Sequence, residues 1–187
     1  LPQTMLGEQL ICQVRRHLGL PSFTGLGGEA RARRFGQDAV FEIATMMGQV
    51  FHTRPATCDY LGSLDQGITY SLHALLLCDE YAGMLRTLWA GTKIDEDALA
   101  LDLLREIGLK GTVLGHEHTA RHCRTNLWPS RYFGANTPVS TSEKPDETLY
   151  QRIDRDLKKR LAAPGPEPLP SDLLTRLRSI HEAHAVV

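Results

Sequence analysis

The sequence predicts a helix-rich α/β chain in which helices far outnumber strands. Three observations carry this. First, apolar residues recur at helical spacing along most of the chain, as at Leu6, Leu10, Ile11 and Val14, or at Leu149, Ile153, Leu157 and Leu161. Second, the best strand candidate, Ala56-Thr-Cys-Asp-Tyr-Leu61, is short, so the chain supplies one or two short strands at most. Third, that strand leads into a glycine-flanked acidic loop, Gly62-Ser-Leu-Asp-Gln-Gly67, and then into a helix. Strand, acidic loop and helix form the unit from which barrel active sites are made. Strands are too few for a complete α/β domain. The chain is therefore either a piece of a larger architecture or a helical domain with vestigial strands.

Taken in order, residues 5–18 read as a helix stopped by Gly19, with Pro21 just beyond. The loop Pro21–Gly28 has glycines that permit close backbone approach. It lacks the Lys-Ser/Thr of a P-loop, and a flexible connection is the better reading. A second helix over 37–51 turns Val40, Ile43, Ala44, Met47, Val50 and Phe51 to one side, its methionines serving as core filler. Residues 68–90 give the longest helical pattern, interrupted by Gly83. Within it Asp79 and Glu80 read as a solvated face. Residues 95–107 read as one helix with Asp95 as N-cap and Ile94 stapled to Leu99. Leu99, Leu103, Leu104 and Ile107 are expected inside, and Gly108 followed by Leu109 is expected to end the helix in a Schellman motif. A short helix should begin near Gly115. Prolines at 129, 138 and 145 mark residues 126–145 as loop. A charged amphipathic helix over 146–162, a stiff proline-rich linker over 164–170 and a last helix capped by Ser171 complete the chain.

The balance of charge removes several function classes. A net charge of −1 carries no polyanion signature, so nucleic acid is not an expected partner. No apolar run approaches the roughly 20 residues of a membrane span. The four cysteines are widely spaced and form no CxxC pair, which fits free thiols in a reducing, cytoplasmic setting. The chain opens on Leu1 inside a helical pattern, as a fragment would.

The densest chemistry lies between His116 and Arg124. Three histidines, one glutamate and two arginines fall within nine residues. His118 and His122, four apart, share a helix face, and with His116 they could hold Zn²⁺ with one position open. The order is not His-Glu-x-x-His, however, and Arg121 and Arg124 would oppose a dication, so no metal is expected. As an acid-base or anion site, Glu117 can pair with Arg121, His118 can shuttle a proton, and Arg121 with Arg124 can grip a carboxylate. The plainer reading is a surface Glu117–Arg121 pair worth under about 1 kcal/mol. Phe23, Tyr60, Tyr70 and Trp128 lie in or beside loops, where aromatic faces can bind quaternary ammonium groups, although ordinary packing is the commoner use.

The middle of the chain also resembles a known family. Gly62-Ser-Leu-Asp65, then Ser71-Leu-His-Ala-Leu-Leu-Leu-Cys-Asp-Glu80, Gly83-Met, Ile94-Asp-Glu-Asp-Ala-Leu-Ala-Leu-Asp102 and Glu106-Ile-Gly lead to Glu117-His-Thr119, Arg124 and Trp128-Pro129. In this order they look like the C-terminal part of the trimethylamine methyltransferase (MttB-like) family, in its branch without pyrrolysine. The resemblance runs from about residue 18 to 129. It implies the C-terminal part of a TIM (β/α)8 barrel, with residues 1–144 as a partial barrel and 145–187 as a helical tail. It implies movement of a methyl group from a quaternary or tertiary amine, trimethylamine or betaine-like, to a corrinoid (cobalamin) carried by a separate protein. That corrinoid protein and a small amine would be the partners, and a homo-oligomer is compatible. On this view Tyr60, Tyr70 and Asp65 hold the ammonium, while Glu117, His118 and Arg121 orient the substrate or the corrinoid. With the first half of the barrel absent, the competing expectation is a non-catalytic helical fragment or a partner-binding subunit.

Overall fold

A computed structural model describes residues 2–24, 27–123, 126–133, 147–165 and 167–184. It is helix-rich with few strands. Two compact units divide at Leu157 and Lys158, inside the seventh helix.

In the first unit, α1 (Pro2–His17) runs into Gly19, whose φ of +68° supplies the left-handed stop. Strand β1 (Phe23–Thr24) follows, then α2 (Gln37–Thr53) and β2 (Thr57–Cys58). β1 and β2 pair in parallel, Phe23 opposite Thr57, so β1–α2–β2 is a strand-helix-strand unit. A strand was not expected at Phe23. Only Thr57 and Cys58 of the expected strand 56–61 pair. The Gly27-Gly28 pair serves a close approach, where the sequence favoured a flexible connection. A Cβ on Gly28 would sit 2.6 Å from Leu61 Cα, and one on Gly27 would strike Cys58 Sγ.

β3 (Ser63–Leu64) and β4 (Thr69–Tyr70) form an antiparallel hairpin, and α3 (Leu72–Ala90) follows. The helix expected from residue 68 thus starts four residues later. Ser71 explains the delay: its hydroxyl accepts from Ala74 N at 3.3 Å and its N–H donates to Gly62 O at 2.9 Å. Gly83 does not break α3. Trp128 lies over it, with the indole Nε1 3.5 Å from where a Cβ would be.

The helix expected over 95–107 is two helices, α4 (Glu96–Leu99) and α5 (Leu101–Ile107), divided by Ala100 at φ +48°. Asp95 does cap α4, accepting from Ala98 N at 2.8 Å. The inward apolar face forms only in part: Leu103 and Ile107 are half-buried, while Ile94, Leu99 and Leu104 are exposed. Gly108 ends α5, but at φ +65° and ψ −171° it is outside the left-handed helical region that a Schellman motif uses. α6 is Glu117–His122, and α7 is Leu149–Ala162. Residues 126–133 are irregular, as expected for that loop, and 134–146 lie outside the described residues.

The core sits between α2 and α3. Ala39, Ile43, Met47 and Val50 meet Ala74, Leu77, Cys78 and Leu85, with Tyr132 and Ile153 closing one end. α1 packs on α2 by a polar edge rather than by its apolar stripe. Cys12 is buried there, Gln49 Nε2 donates to Met5 O at 2.7 Å, and Arg16 donates to Thr53 O at 2.6 Å. Leu6, Leu10 and Val14 therefore face outward, Leu10 with 62% of its surface exposed.

Glu80 overturns the solvated-face reading. It is 2% exposed and accepts three hydrogen bonds, from Ser130 Oγ at 2.7 Å, Arg131 N at 2.6 Å and Arg131 Nε at 2.6 Å. Arg131 also reaches Asp79 at 2.7 Å. Burial works against the guanidinium's charge, but the two carboxylates outweigh it and raise the Arg131 pKa further. The start of α7 is held to α3 by His73 Nε2 on Asp154 Oδ1 at 3.2 Å and by the Tyr150 ring stacked on His73 at 4.9 Å.

The second unit carries the end of α7 and α8 (Ser171–His184). Pro170 O accepts from Leu174 N at 3.0 Å, so Ser171 opens α8 instead of capping it. The described part of the proline-rich stretch 164–170 is neither helix nor strand, as expected of a linker. Among the described residues, no helix is long and apolar enough to cross a membrane.

Candidate functional site

Parallel strands present their C-terminal ends to a common edge, and loops leaving that edge carry binding groups. Here β1 leads to Gly27, Gly28 and Glu29, and β2 leads to Asp59 and Tyr60. The two exits are tied together behind that edge. Ala30 N donates to Ser63 O at 3.0 Å, Asp65 N donates to Ala32 O at 3.1 Å, and Glu42 Oε2 accepts from Arg31 N at 2.7 Å. These bonds fix Glu29 beside Asp59 and Tyr60.

The result is a concavity of about 370 Å³ whose walls include Glu8, Arg15, Phe23, Glu29, Tyr60 and Gln66. Phe23 and Tyr60 are 44% and 43% exposed, so ring surface stays open to a ligand. Tyr60 sits at φ +54°. A bulky residue holds that conformation at a cost of about 1–3 kcal/mol, a kind of strain that clusters at binding sites. Gly67 lies under the ring, its missing Cβ 3.5 Å from Tyr60 Cε1.

Among the described residues, carboxylates outnumber cations around the concavity: Glu8 and Glu29 line it with Arg15, and Asp59 acts on Glu29 from nearby. Burial raises the Glu29 pKa, Arg31 lowers it, and the charge of Asp59 raises it again. Glu8 Oε2 and Asp59 Oδ1 are buried with no hydrogen-bond partner among the described residues. A buried carboxylate oxygen without a donor is unfavourable unless a cation or donor reaches it. Two ring faces with Glu8 and Glu29 on the wall, Asp59 nearby and the guanidinium of Arg15 turned to Phe23 O make an environment suited to an organic cation.

Of the residues singled out in the sequence, Tyr60 lines this concavity. Asp65 stands one residue from Gln66 but pairs with Arg33 at 3.6 Å. Tyr70 pairs with Ser63 across the hairpin, and its side chain is exposed.

The second group gathers around Asp97, a residue the sequence did not mark. His122 Nε2 lies 3.0 Å from Asp97 Oδ2, His118 Nε2 2.7 Å from Asp97 O, and Arg121 Nη2 3.3 Å from Asp97 Oδ1. Arg121 thus turns to α4, where the sequence suggested Glu117. Glu117 opens α6 with its side chain exposed. His116 is the N-cap of α6, its Nδ1 accepting from His118 N at 3.1 Å. The structure gathers Asp97, His118 and His122, and uses His116 as a cap. Arg124 lies outside the described residues.

Sequence reasoning passed over Glu29, Asp59 and Asp97. Asp59 was within reach, because it lies inside the one strand identified, Ala56–Leu61. Glu29 was hidden because β1 read as loop, and Asp97 because its partners are about twenty residues away.

Comparison with known proteins gives these sites a context. The family model for trimethylamine methyltransferase (MTTB) matches residues 1–183. Trimethylamine methyltransferase MttB of Desulfitobacterium hafniense (strain DSM 10664 / DCB-2) is 26% identical over 173 residues, 92% of this chain and 34% of that protein. Glycine betaine methyltransferase of Desulfitobacterium hafniense (strain Y51) is 28% identical over 128 residues, 68% of this chain and 26% of that protein. The chain therefore spans about a third or less of the length of these curated relatives. With the match running over nearly its whole length, this chain belongs to the trimethylamine methyltransferase family.

Proposed function

We propose that this chain supplies the amine-binding part of an amine methyltransferase, and that its substrate is a methylated ammonium compound such as trimethylamine or a betaine. One observation carries the reading. At the exit of a parallel strand pair, Phe23 and Tyr60 share a concavity with Glu29, and buried oxygens of Glu8 and Asp59 lack a donor among the described residues. The names of the two relatives, one acting on trimethylamine and one on glycine betaine, supply the substrate class.

The residues divide the work. Ring faces hold methyl groups on a charged nitrogen through the ring quadrupole, an effect worth about 0.5–2 kcal/mol per ring. Glu29, ionised, neutralises the nitrogen's charge. Asp65 keeps Arg33 beside the hairpin, and Tyr70 borders the same hairpin. We place His118, Arg121 and Glu117 away from the ammonium, on the side that meets a partner. A corrinoid carried by a separate protein would supply the methyl acceptor. The product amine leaves neutral, so this chain needs to bind and orient a cation rather than deliver a proton.

The proposed architecture is the C-terminal part of a (β/α)8 barrel. The parallel β1–α2–β2 unit supports it, as does the outward apolar stripe of α1, which the remainder of a longer barrel would cover. A second reading, a partner-binding helical subunit, draws on the same exposed stripe.

Titration calorimetry with glycine betaine and trimethylammonium tests the proposal. Glu29→Gln and Tyr60→Leu should each weaken binding about tenfold, the equivalent of ~1.4 kcal/mol. Unchanged affinity in both variants would remove the concavity from the reaction.

A further inference from the structure

We propose that Asp97, His118 and His122 form a binding site for one transition-metal dication of the zinc, cobalt or nickel class, clipping α4 to α6. The site is independent of the amine concavity.

The argument starts from helical geometry. Side chains four apart on a helix stand one above the other, so His118 and His122 present their rings on the same face of α6. Their ring centroids are 4.4 Å apart. Both Nε2 atoms aim at one residue of another helix: His122 Nε2 is 3.0 Å and His118 Nε2 3.8 Å from the Asp97 carboxylate. One donor atom from each of the three residues falls within a 4.8 Å span. Ligands about 2.0–2.2 Å from a tetrahedral ion lie roughly 3.3–3.6 Å from one another, so the three would close by roughly 1 Å, and His118 Nε2 would exchange its 2.7 Å bond to Asp97 O for the ion.

The surroundings fit. Two imidazoles and a carboxylate suit a borderline ion rather than calcium or magnesium, which favour oxygen. His122 Nδ1 faces the Asn126 side-chain amide at 3.3 Å, and turning that amide offers an oxygen to an Nδ1–H. As placed, Asn126 Nδ2 donates to Nδ1 and His122 Nε2–H faces Asp97 Oδ2; with the amide turned, the contact would favour the tautomer that leaves Nε2 for the ion. His116 fixes the first turn by accepting from His118 N. A cavity of about 410 Å³ beside His118 leaves room for a fourth, exchangeable ligand. Arg121 is the opposing charge, but it holds Asp97 through Oδ1 while Oδ2 faces His122. Its guanidinium is largely exposed, and Glu96 shares the cavity wall with it, where Asp102 is paired with Arg105.

The test uses the purified chain, stripped with chelator and titrated with Co²⁺ and then Zn²⁺. The expected result is one saturable equivalent of Co²⁺ with visible d–d absorption, displaced by Zn²⁺. Asp97→Asn, His118→Ala and His122→Ala should each weaken it about tenfold or more. Replacing both His181 and His184 with alanine should leave it intact, which distinguishes the site from casual binding at surface histidines. Imidazole resonances of the unaltered chain supply a readout that requires no variant: Zn²⁺ should shift those of His118 and His122 and spare those of α8. The proposal is overturned by absence of a saturable equivalent, by its survival in Asp97→Asn and His118→Ala, or by zinc-induced shifts confined to other histidines.

Discussion

Replacing Glu80 with alanine is expected to remove about 3 kcal/mol of folding stability. Glu80 is 2% exposed, and its carboxylate accepts from Ser130 Oγ, Arg131 N and Arg131 Nε. Truncating one member of a buried ion pair usually costs about 3–5 kcal/mol, because the other member keeps its charge without its partner. The low end applies here, since Arg131 is 39% exposed and retains Asp79. Even so, ~3 kcal/mol is a large share of the roughly 5–15 kcal/mol that keeps a domain folded. Urea unfolding followed by circular dichroism and by tryptophan fluorescence measures the loss. The fluorescence carries extra information, because Trp128 lies over Gly83 in the segment that Glu80 anchors. Glu80→Gln should lose less than the alanine variant, since one amide oxygen still accepts while the NH₂ group faces the donors of Arg131. A loss below about 1 kcal/mol in Glu80→Ala would refute the claim that this carboxylate ties residues 130–133 to α3.

Two further predictions follow from ionisation. Burial raises the Glu29 pKa above its ordinary 4.5, so the folded chain holds that proton more tightly than the unfolded chain. The stability it contributes is present below pH 4.5 and lost as pH rises through the folded pKa. Thermal melts from pH 4 to 7 should therefore show Glu29→Gln declining less than the parent, while its ammonium binding is weaker. Burial also pushes the thiols of Cys58 and Cys78 up to about 11 from 9. Their thiolates at pH 8 are then about 100-fold scarcer than for an ordinary thiol. Mass spectrometry after brief alkylation at pH 8 should find the label on exposed Cys123 first. Labelling of Cys58 should rise with pH until about 11, and equal rates for Cys58 and Cys123 at pH 8 would contradict the burial described.

The helical part of the fold was legible because its signals are local. Gly19 and Asp95 mark helix ends through their own backbone or side chain, and each behaves as read. What escaped the sequence depends on residues far apart in the chain. Phe23 becomes a strand only because Thr57 lies beside it. Glu80 reads as surface until Arg131, fifty-one residues later, folds onto it. Period alone says which residues share a face, not which way the face turns. Leu6, Leu10 and Val14 hold perfect helical spacing, yet α1 meets α2 through Cys12, Arg16 and a backbone carbonyl. The candidate sites divide the same way. Tyr60 could be found because it is an aromatic at the end of the expected strand 56–61, whereas Glu29 and Asp97 matter through their neighbours in space.

The central claim is that the concavity between Phe23, Glu29 and Tyr60 holds a methylated ammonium by its charge. Nuclear magnetic resonance with tetramethylammonium, set against a neutral tert-butyl alcohol of the same shape, tests it most directly. Saturable shifts of the Phe23 and Tyr60 ring protons with the cation, and none with the neutral compound, are the predicted result. Equal shifts with both compounds, or no ring shifts with either, would contradict it.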